Sequence, residues 1–205
     1  MNNDALILLV DSLKSWKESS SLDITVDKDH AVAVLDSKDL LLSFCSYILE
    51  QPSLKMTQLI DITAVDYLKE LGTFCMVYHF LSMKHNTRLR LKVFIHEHDN
   101  LDSVKVFYPN ALWYEREVYD MFGIAFNNHP DLRRLLTDYN FDGHPLRKDF
   151  PVTGYVEVRY DESKERVVYE PISLNQPCRE FDFESPWEGY LKGDEKATKA
   201  QETKS

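Results

Sequence analysis

The chain is expected to fold as an α+β domain, with a mixed or antiparallel sheet carrying helices on one face, followed by a long extended C-terminal segment. Three observations predict this. Apolar residues in the first hundred positions follow helical spacing in two stretches and strand alternation in the others. The order that results is helix, two strands, helix, three strands, with short turns between consecutive strands, which favours a sheet with helices on one side. After Gly123 the periodicity vanishes while prolines recur at 130, 145, 151, 171, 177 and 186.

Each element has its own signal. Leu6, Leu9, Val10 and Leu13 fall at i, i+3, i+4 and i+7, one stripe of an amphipathic helix. The period then switches to two. Leu22, Ile24 and Val26 alternate with Asp23, Thr25 and Asp27, and Val32 and Val34 resume the pattern after an Asp27-Lys28-Asp29 turn, which predicts a hairpin. Asp36-Ser37 offers an N-cap for a second helix that buries Leu40, Leu41, Phe44, Cys45 and Ile48, with Pro52 just beyond its end. Ile60 and Ile62 alternate with Asp61 and Thr63. Phe74, Met76, Tyr78 and Phe80 line one side of the next strand and Cys75, Val77 and Leu81 the other, so this strand is expected to be central. Leu89, Leu91, Val93 and Ile95 alternate with Arg88, Arg90 and Lys92, giving one wet face. A helical turn at Asp102-Ser103-Val104 is ended by Tyr108-Pro109. Asn110 to Phe122 reads as a helix with Ala111, Val118 and Phe122 along one side, Asn110 as N-cap, Arg116 and Asp120 as i, i+4 partners, and Gly123 as the residue that stops it.

The 205 residues therefore divide into an α+β domain over 1–125, an extended segment over 126–192 and a disordered tail over 193–205. Residues 151–205 carry eight Lys/Arg against twelve Asp/Glu, too polar to build a core alone. Yet Tyr155, Val158, Tyr160, Tyr169, Ile172, Phe181, Phe183, Trp187 and Tyr190 are spread along them. Aromatic anchors on a proline-punctuated chain suggest a segment that wraps another protein, the alternative being that it wraps its own domain.

Composition excludes several function classes. The six glycines have no dinucleotide-loop or phosphate-loop spacing. Cys45, Cys75 and Cys178 contain no C-x-x-C, which removes a self-contained iron–sulfur cluster, a cysteine zinc site and a disulfide framework. A net charge of −10 argues against nucleic-acid binding. No apolar run has the length of a membrane span. The first four residues, Met1-Asn2-Asn3-Asp4, carry an acid and no base, unlike a secretory or mitochondrial leader. A water-soluble chain is expected.

The densest chemistry lies in Glu115-Arg116-Glu117-Val118-Tyr119-Asp120-Met121-Phe122-Gly123-Ile124, then His129-Pro130-Asp131-Leu132-Arg133-Arg134, then Gly143-His144-Pro145-Leu146-Arg147-Lys148-Asp149-Phe150-Pro151. Glu117, Asp120, His129 and His144 are competent metal ligands, but no two histidines share a helical face there; His96 and His98 share only a strand end. Glu117 and Asp120, at i, i+3, could form a carboxylate pair. Arg–carboxylate scaffolding with Arg116, Arg133, Arg134 and Arg147 is the favoured reading, since no nucleophile or oxyanion hole matches them.

These three runs, with GYVEVRYDESKERVVYEP and REFDFESPWEG further on, resemble the signature of the 30-kDa subunit family of respiratory complex I, the NADH-quinone oxidoreductase. The match is strong over residues 107–191; the first half fits in length and α/β character. The resemblance implies an N-terminal α/β domain with an extended C-terminal segment, in the quinone-reducing module of the hydrophilic arm. It implies a non-catalytic structural subunit with no cofactor of its own, in a proton-pumping complex that passes electrons from NADH through FMN and iron–sulfur clusters to quinone. The expected partners are other subunits of the complex, chiefly the 49-kDa homologue, with membrane association only through the complex. The location implied is the cytoplasmic side of a bacterial inner membrane, or the matrix side in mitochondria. Glu115, Arg116, Glu117, Asp120, His129, Arg133, Arg134 and Asp149 become structural and interface residues by analogy. Two other readings are a related membrane-bound hydrogenase or plastid-type complex, and a free-standing hydrolase using Glu117, Asp120 and His129.

Overall fold

A computed structural model describes residues 3–173. The described residues fall into two units, one up to Gly154 and one from Tyr155 onward. In the first, helix α1 (Asn3–Lys14) precedes strands β1 (Leu22–Asp27) and β2 (His30–Leu35), helix α2 (Leu41–Glu50) and strand β3 (Gln58–Tyr67). A single turn, α3 (Leu68–Leu71), leads to β4 (Thr73–Ser82) and β5 (Thr87–His96). A short β6 (Leu101–Asp102), helix α4 (Ala111–Phe122) and β7 (Phe126–Asn127) follow.

The five long strands make one mixed sheet in the order β1-β2-β5-β4-β3. All pairings are antiparallel except β2 with β5, where Ala31 lies beside Leu89 and Leu35 beside Val93. The strand expected to be central, β4, lies between β5 and β3, and Cys75 and Val77 on its outer side are buried along with Phe74, Met76, Tyr78 and Phe80 on its inner side. The middle position belongs to β5. Its Leu89, Leu91, Val93 and Ile95 join Leu9 and Leu13 of α1, Phe44 and Ile48 of α2, and Ala111, Val118 and Phe122 of α4 in one core, so the helices cover one face of the sheet. Burying such side chains is the main stabilising term, about 1.5–3 kcal/mol each.

Two expected caps differ. Ser37 accepts from the Asp39 N–H, but at a 3-10 turn (Lys38–Leu40) that leads into α2. Asn110 does not cap α4; its Nδ2 donates to the Leu59 carbonyl at 2.8 Å, while the Tyr108 hydroxyl donates to the Met56 carbonyl at 2.7 Å. Two strong donors at the helix entrance are spent on tying it to β3 and to the residues just before that strand. The other end of α4 is as expected: Gly123 adopts φ +81° and its N–H donates to Tyr119 O.

In the second unit the expected extended segment contains a hairpin, β8 (Val156–Asp161) with β9 (Arg166–Pro171). Val156, Val158 and Tyr160 face Pro171, Tyr169 and Val167 across it. One face is thus wholly apolar, and Val156, Val158, Tyr160 and Val167 are each more than half exposed. The opposite face carries the Arg159–Glu170 ion pair at 2.7 Å. The expectations for Phe181, Phe183, Trp187, Tyr190, Cys178 and the tail from 193 lie outside the described residues.

Candidate functional site

The signature residues meet where α4 supports residues 129–150. Along the buried stripe of α4, Ala111, Glu115, Val118 and Phe122 follow i, i+4, i+7 and i+11, so Glu115 occupies a core position. It is fully buried. Its carboxyl accepts from the Ser103 hydroxyl at 2.6 Å and the Val104 N–H at 2.8 Å. Burial pushes the group up to about 7, and those two hydrogen bonds only partly oppose this. His129 Nε2 lies 3.9 Å from Glu115 Oε2. Both ring nitrogens of His129 face backbone: Nδ1 accepts from the Asp131 N–H and Nε2 donates to Leu112 O. Those partners assign the neutral tautomer with its proton on Nε2.

The expected Arg116–Asp120 pair does not form. Arg116 Nε and Nη2 donate to the carbonyl oxygens of Arg133 and Arg134, at 3.1 and 3.0 Å. Asp120 reaches the next residues instead. Its Oδ2 accepts the N–H groups of Leu135, Leu136 and Thr137 at 3.0, 2.7 and 2.9 Å. Its Oδ1 accepts from Arg134 Nη1 at 2.9 Å and from the Thr137 hydroxyl. Three successive backbone donors and a guanidinium offer a carboxylate more than one neighbouring side chain could, which is why the local i, i+4 pairing loses. Burial by itself would raise the Asp120 carboxyl, but the hydrogen bonds from Thr137, Leu136 and Arg134 outweigh it and hold the group well below the carboxylate range.

Further pins complete this clasp. Arg134 Nη2 donates to Gly143 O at 3.1 Å, and its guanidinium lies 5.8 Å from the Phe141 ring centre. His144 Nδ1 bonds the Asp120 carbonyl at 2.9 Å, and the Leu146 N–H donates to Met121 O. Lys148 N–H donates to Asp66, and Arg147 pairs with Glu97 while covering the Phe74 ring. Residues 129–150 lack periodicity because polar pins, not an apolar stripe, position them. Thr137 and Asp66 were not singled out from the sequence; Arg147 was, as one arginine of an Arg–carboxylate scaffold, and His144 only as a competent metal ligand.

The remaining signature residues stand apart. Glu117 is half-buried on α4. Arg133 is exposed and paired with Asp131 at 2.9 Å. Asp149 is exposed, 3.7 Å from Arg147. Asp120 and His129 have their polar atoms taken by protein partners, so they do not join Glu117 as a hydrolytic set. Among the described residues no three His, Cys, Asp or Glu are gathered to hold a metal ion, and no helix is long and apolar enough to cross a membrane.

Gly123 shows how tightly the clasp closes. A Cβ built there would stand 2.6 Å from His144 Nε2. Gly123→Ala is expected to cost roughly 2 kcal/mol in urea unfolding, from the left-handed backbone and the displaced imidazole together. Removing the ring as well, in Gly123→Ala/His144→Ala, should return the steric part. Additive losses in that double-mutant cycle would show that the two residues do not compete for the space.

The family described as "Respiratory-chain NADH dehydrogenase, 30 Kd subunit" matches residues 34–156, which include α4 and the whole clasp. The chain is 51% identical over 205 residues to an NADH-quinone oxidoreductase subunit of Jannaschia sp. (strain CCS1), covering 98% of this chain and 99% of that one. It is 61% identical over 145 residues to the protein of the same description from Roseobacter denitrificans, covering 69% and 73%. Among solved structures it resembles a chain of the membrane-bound sulfane sulfur reductase, an archaeal respiratory membrane complex, with a TM-score of 0.59 and 26% identity over 71% of this chain and 84% of that chain.

Proposed function

This chain belongs to the respiratory-chain NADH dehydrogenase 30-kDa subunit family, and on that premise we propose that it is a non-catalytic scaffold subunit of a proton-pumping NADH:quinone oxidoreductase. In this reading it stands in the peripheral arm, in the quinone-reducing module, beside the 49-kDa subunit. NADH, FMN, the iron–sulfur clusters and quinone are bound by other chains. The chain lies on the cytoplasmic side of a bacterial inner membrane, or on the matrix side in mitochondria, held there by the other subunits of the complex.

One structural observation carries the scaffold reading: the apolar face of the β8–β9 hairpin, with four hydrophobic side chains more than half exposed. A lone two-stranded hairpin is marginal in water, so a partner surface is the natural cover for that face. Within the segment 126–192, we therefore assign partner contact to the part after Gly154. The Asp120 clasp serves the same end by fixing residues 129–150 as a stiff support. The relatives at 51 and 61% identity are NADH-quinone oxidoreductase subunits, which favours that assembly over a hydrogenase-type one.

The test is affinity purification of the full chain from membranes in mild detergent. The reading requires that the other peripheral-arm subunits, the 49-kDa homologue among them, co-purify with NADH:quinone activity. Recovery of the chain alone, or with no redox subunit, would refute it.

A further inference from the structure

A groove of about 300 Å³ lies between α4 and residues 129–133, lined by Leu112, Trp113, Arg116, His129, Asp131 and Arg133. Two features of it are only partly satisfied within the chain. Trp113 is 60% exposed, although indole is among the side chains that gain most from burial. Arg116 is 9% exposed and has no ion-pair partner among the described residues, because Asp120 is paired with Arg134 and Asp131 with Arg133. Its guanidinium lies 5.2 Å from the Trp113 ring centre, with Nε and Nη2 tied to backbone carbonyls and Nη1 without a protein partner there. A mostly buried cation with no counter-charge is costly unless a carboxylate arrives from outside. The stacking and the two carbonyl bonds hold that cation and the indole in a fixed relation before anything binds.

We propose that this groove seats an acidic segment of a partner subunit, its carboxylate joining Arg116 and an adjacent apolar side chain lying against Trp113. The proposal rests on the subunit reading above and specifies where one partner docks and with what chemistry. Trp and Arg are the residue types that most often dominate an interface, and here the two form one unit.

The experiment places the photo-reactive residue p-benzoylphenylalanine at position 113 of the full chain and irradiates the detergent-extracted complex. A cross-linked peptide from another subunit, with Asp or Glu next to the cross-linked residue, is the expected result. Trp113→Ala should in parallel lower the co-purifying fraction about tenfold, with its urea midpoint unchanged because the ring is largely exposed. A cross-link to a peptide without acids, to a second copy of this chain or to nothing in an assembled complex would overturn the proposal while leaving the subunit reading intact. So would normal assembly of Trp113→Ala. A wild-type chain that co-purifies with no other subunit would overturn both.

Discussion

Asp120→Ala is expected to lose about 4 kcal/mol of stability, much of what a domain of this size has to spare. The loss has two physical parts. The Arg134 guanidinium, its side chain only 19% exposed, loses its counter-charge, and the N–H groups of Leu135, Leu136 and Thr137 lose their common acceptor. Asp120→Asn separates the two. An amide oxygen at the Oδ2 place still accepts the three N–H groups, and its NH2 group can donate to the Thr137 hydroxyl, but it opposes Arg134. We therefore expect roughly half the loss from Asn. The measurement is urea unfolding, with hydrogen exchange of residues 133–146 as the local readout. Equal losses from Ala and Asn would mean that the ion pair, and not the backbone cradle, carries the clasp. Exchange unchanged over 133–146 would mean that Asp120 does not hold this segment. Because the carboxyl is held below its ordinary range, its contribution is present above the unfolded value near 3.8 and is lost as pH falls through the lower folded value.

Glu115 has the opposite sign. Its carboxyl rises from 4.5 when unfolded to about 7 when folded, so the native chain takes up a proton across that window. The associated stability is fully present below about 4.5 and is lost as pH rises through 7. The full effect is on the order of 3 kcal/mol, from about 1.4 kcal/mol for each tenfold change in proton affinity. Most of it should be visible as a falling urea midpoint of the isolated full chain between pH 5.5 and 8. Glu115→Gln keeps an oxygen to accept from the Val104 N–H, turns an NH2 toward the Ser103 hydroxyl, which then accepts, and carries no titrating proton, so it should flatten the profile. A wild-type profile that is level or rises with pH, or a Gln variant with the wild-type slope, would remove Glu115 from this role.

The sequence made the regular elements legible because each buries one face with its own period. Leu6, Leu9 and Leu13 on α1, and Leu89, Leu91, Val93 and Ile95 on β5, are examples; on β2 the expected Val32 and Val34 give way to Ala31, Ala33 and Leu35 in the core. The parallel seam between β2 and β5 was not legible, since its register depends on packing between distant segments and not on any local period. The β8–β9 hairpin was missed although Val156, Val158 and Tyr160 do alternate; the flanking prolines and charges masked a run of only six residues. At the clasp the residue types were readable and their partners were not. Spacing on α4 puts Arg116 within reach of Asp120, but the competing donors are backbone groups of residues 135–137, which no side-chain pattern announces. Glu115 was the readable anomaly, an acid at i+4 from Ala111 on a buried stripe, which demands donors nearby.

The five-stranded sheet and the β8–β9 hairpin also differ in what they expose. The five-stranded sheet is protected at both borders: β1 is short and carries Asp23 and Asp27, and β3 breaks register between Leu59 and Asp61. Both devices discourage another strand from adding to the edge. The strands of the β8–β9 hairpin are as short as β1 and carry Glu157, Arg159, Asp161, Arg166 and Glu170, so what sets the hairpin apart is its exposed apolar face. The liability to self-associate of residues 155–171 therefore lies in that apolar face and not in an unprotected edge. A chain made in excess of its partners should form particles in proportion to its concentration, as light scattering would show, and a chain ending at Gly154 should not. On this account quality control of the orphan subunit is written into one hairpin.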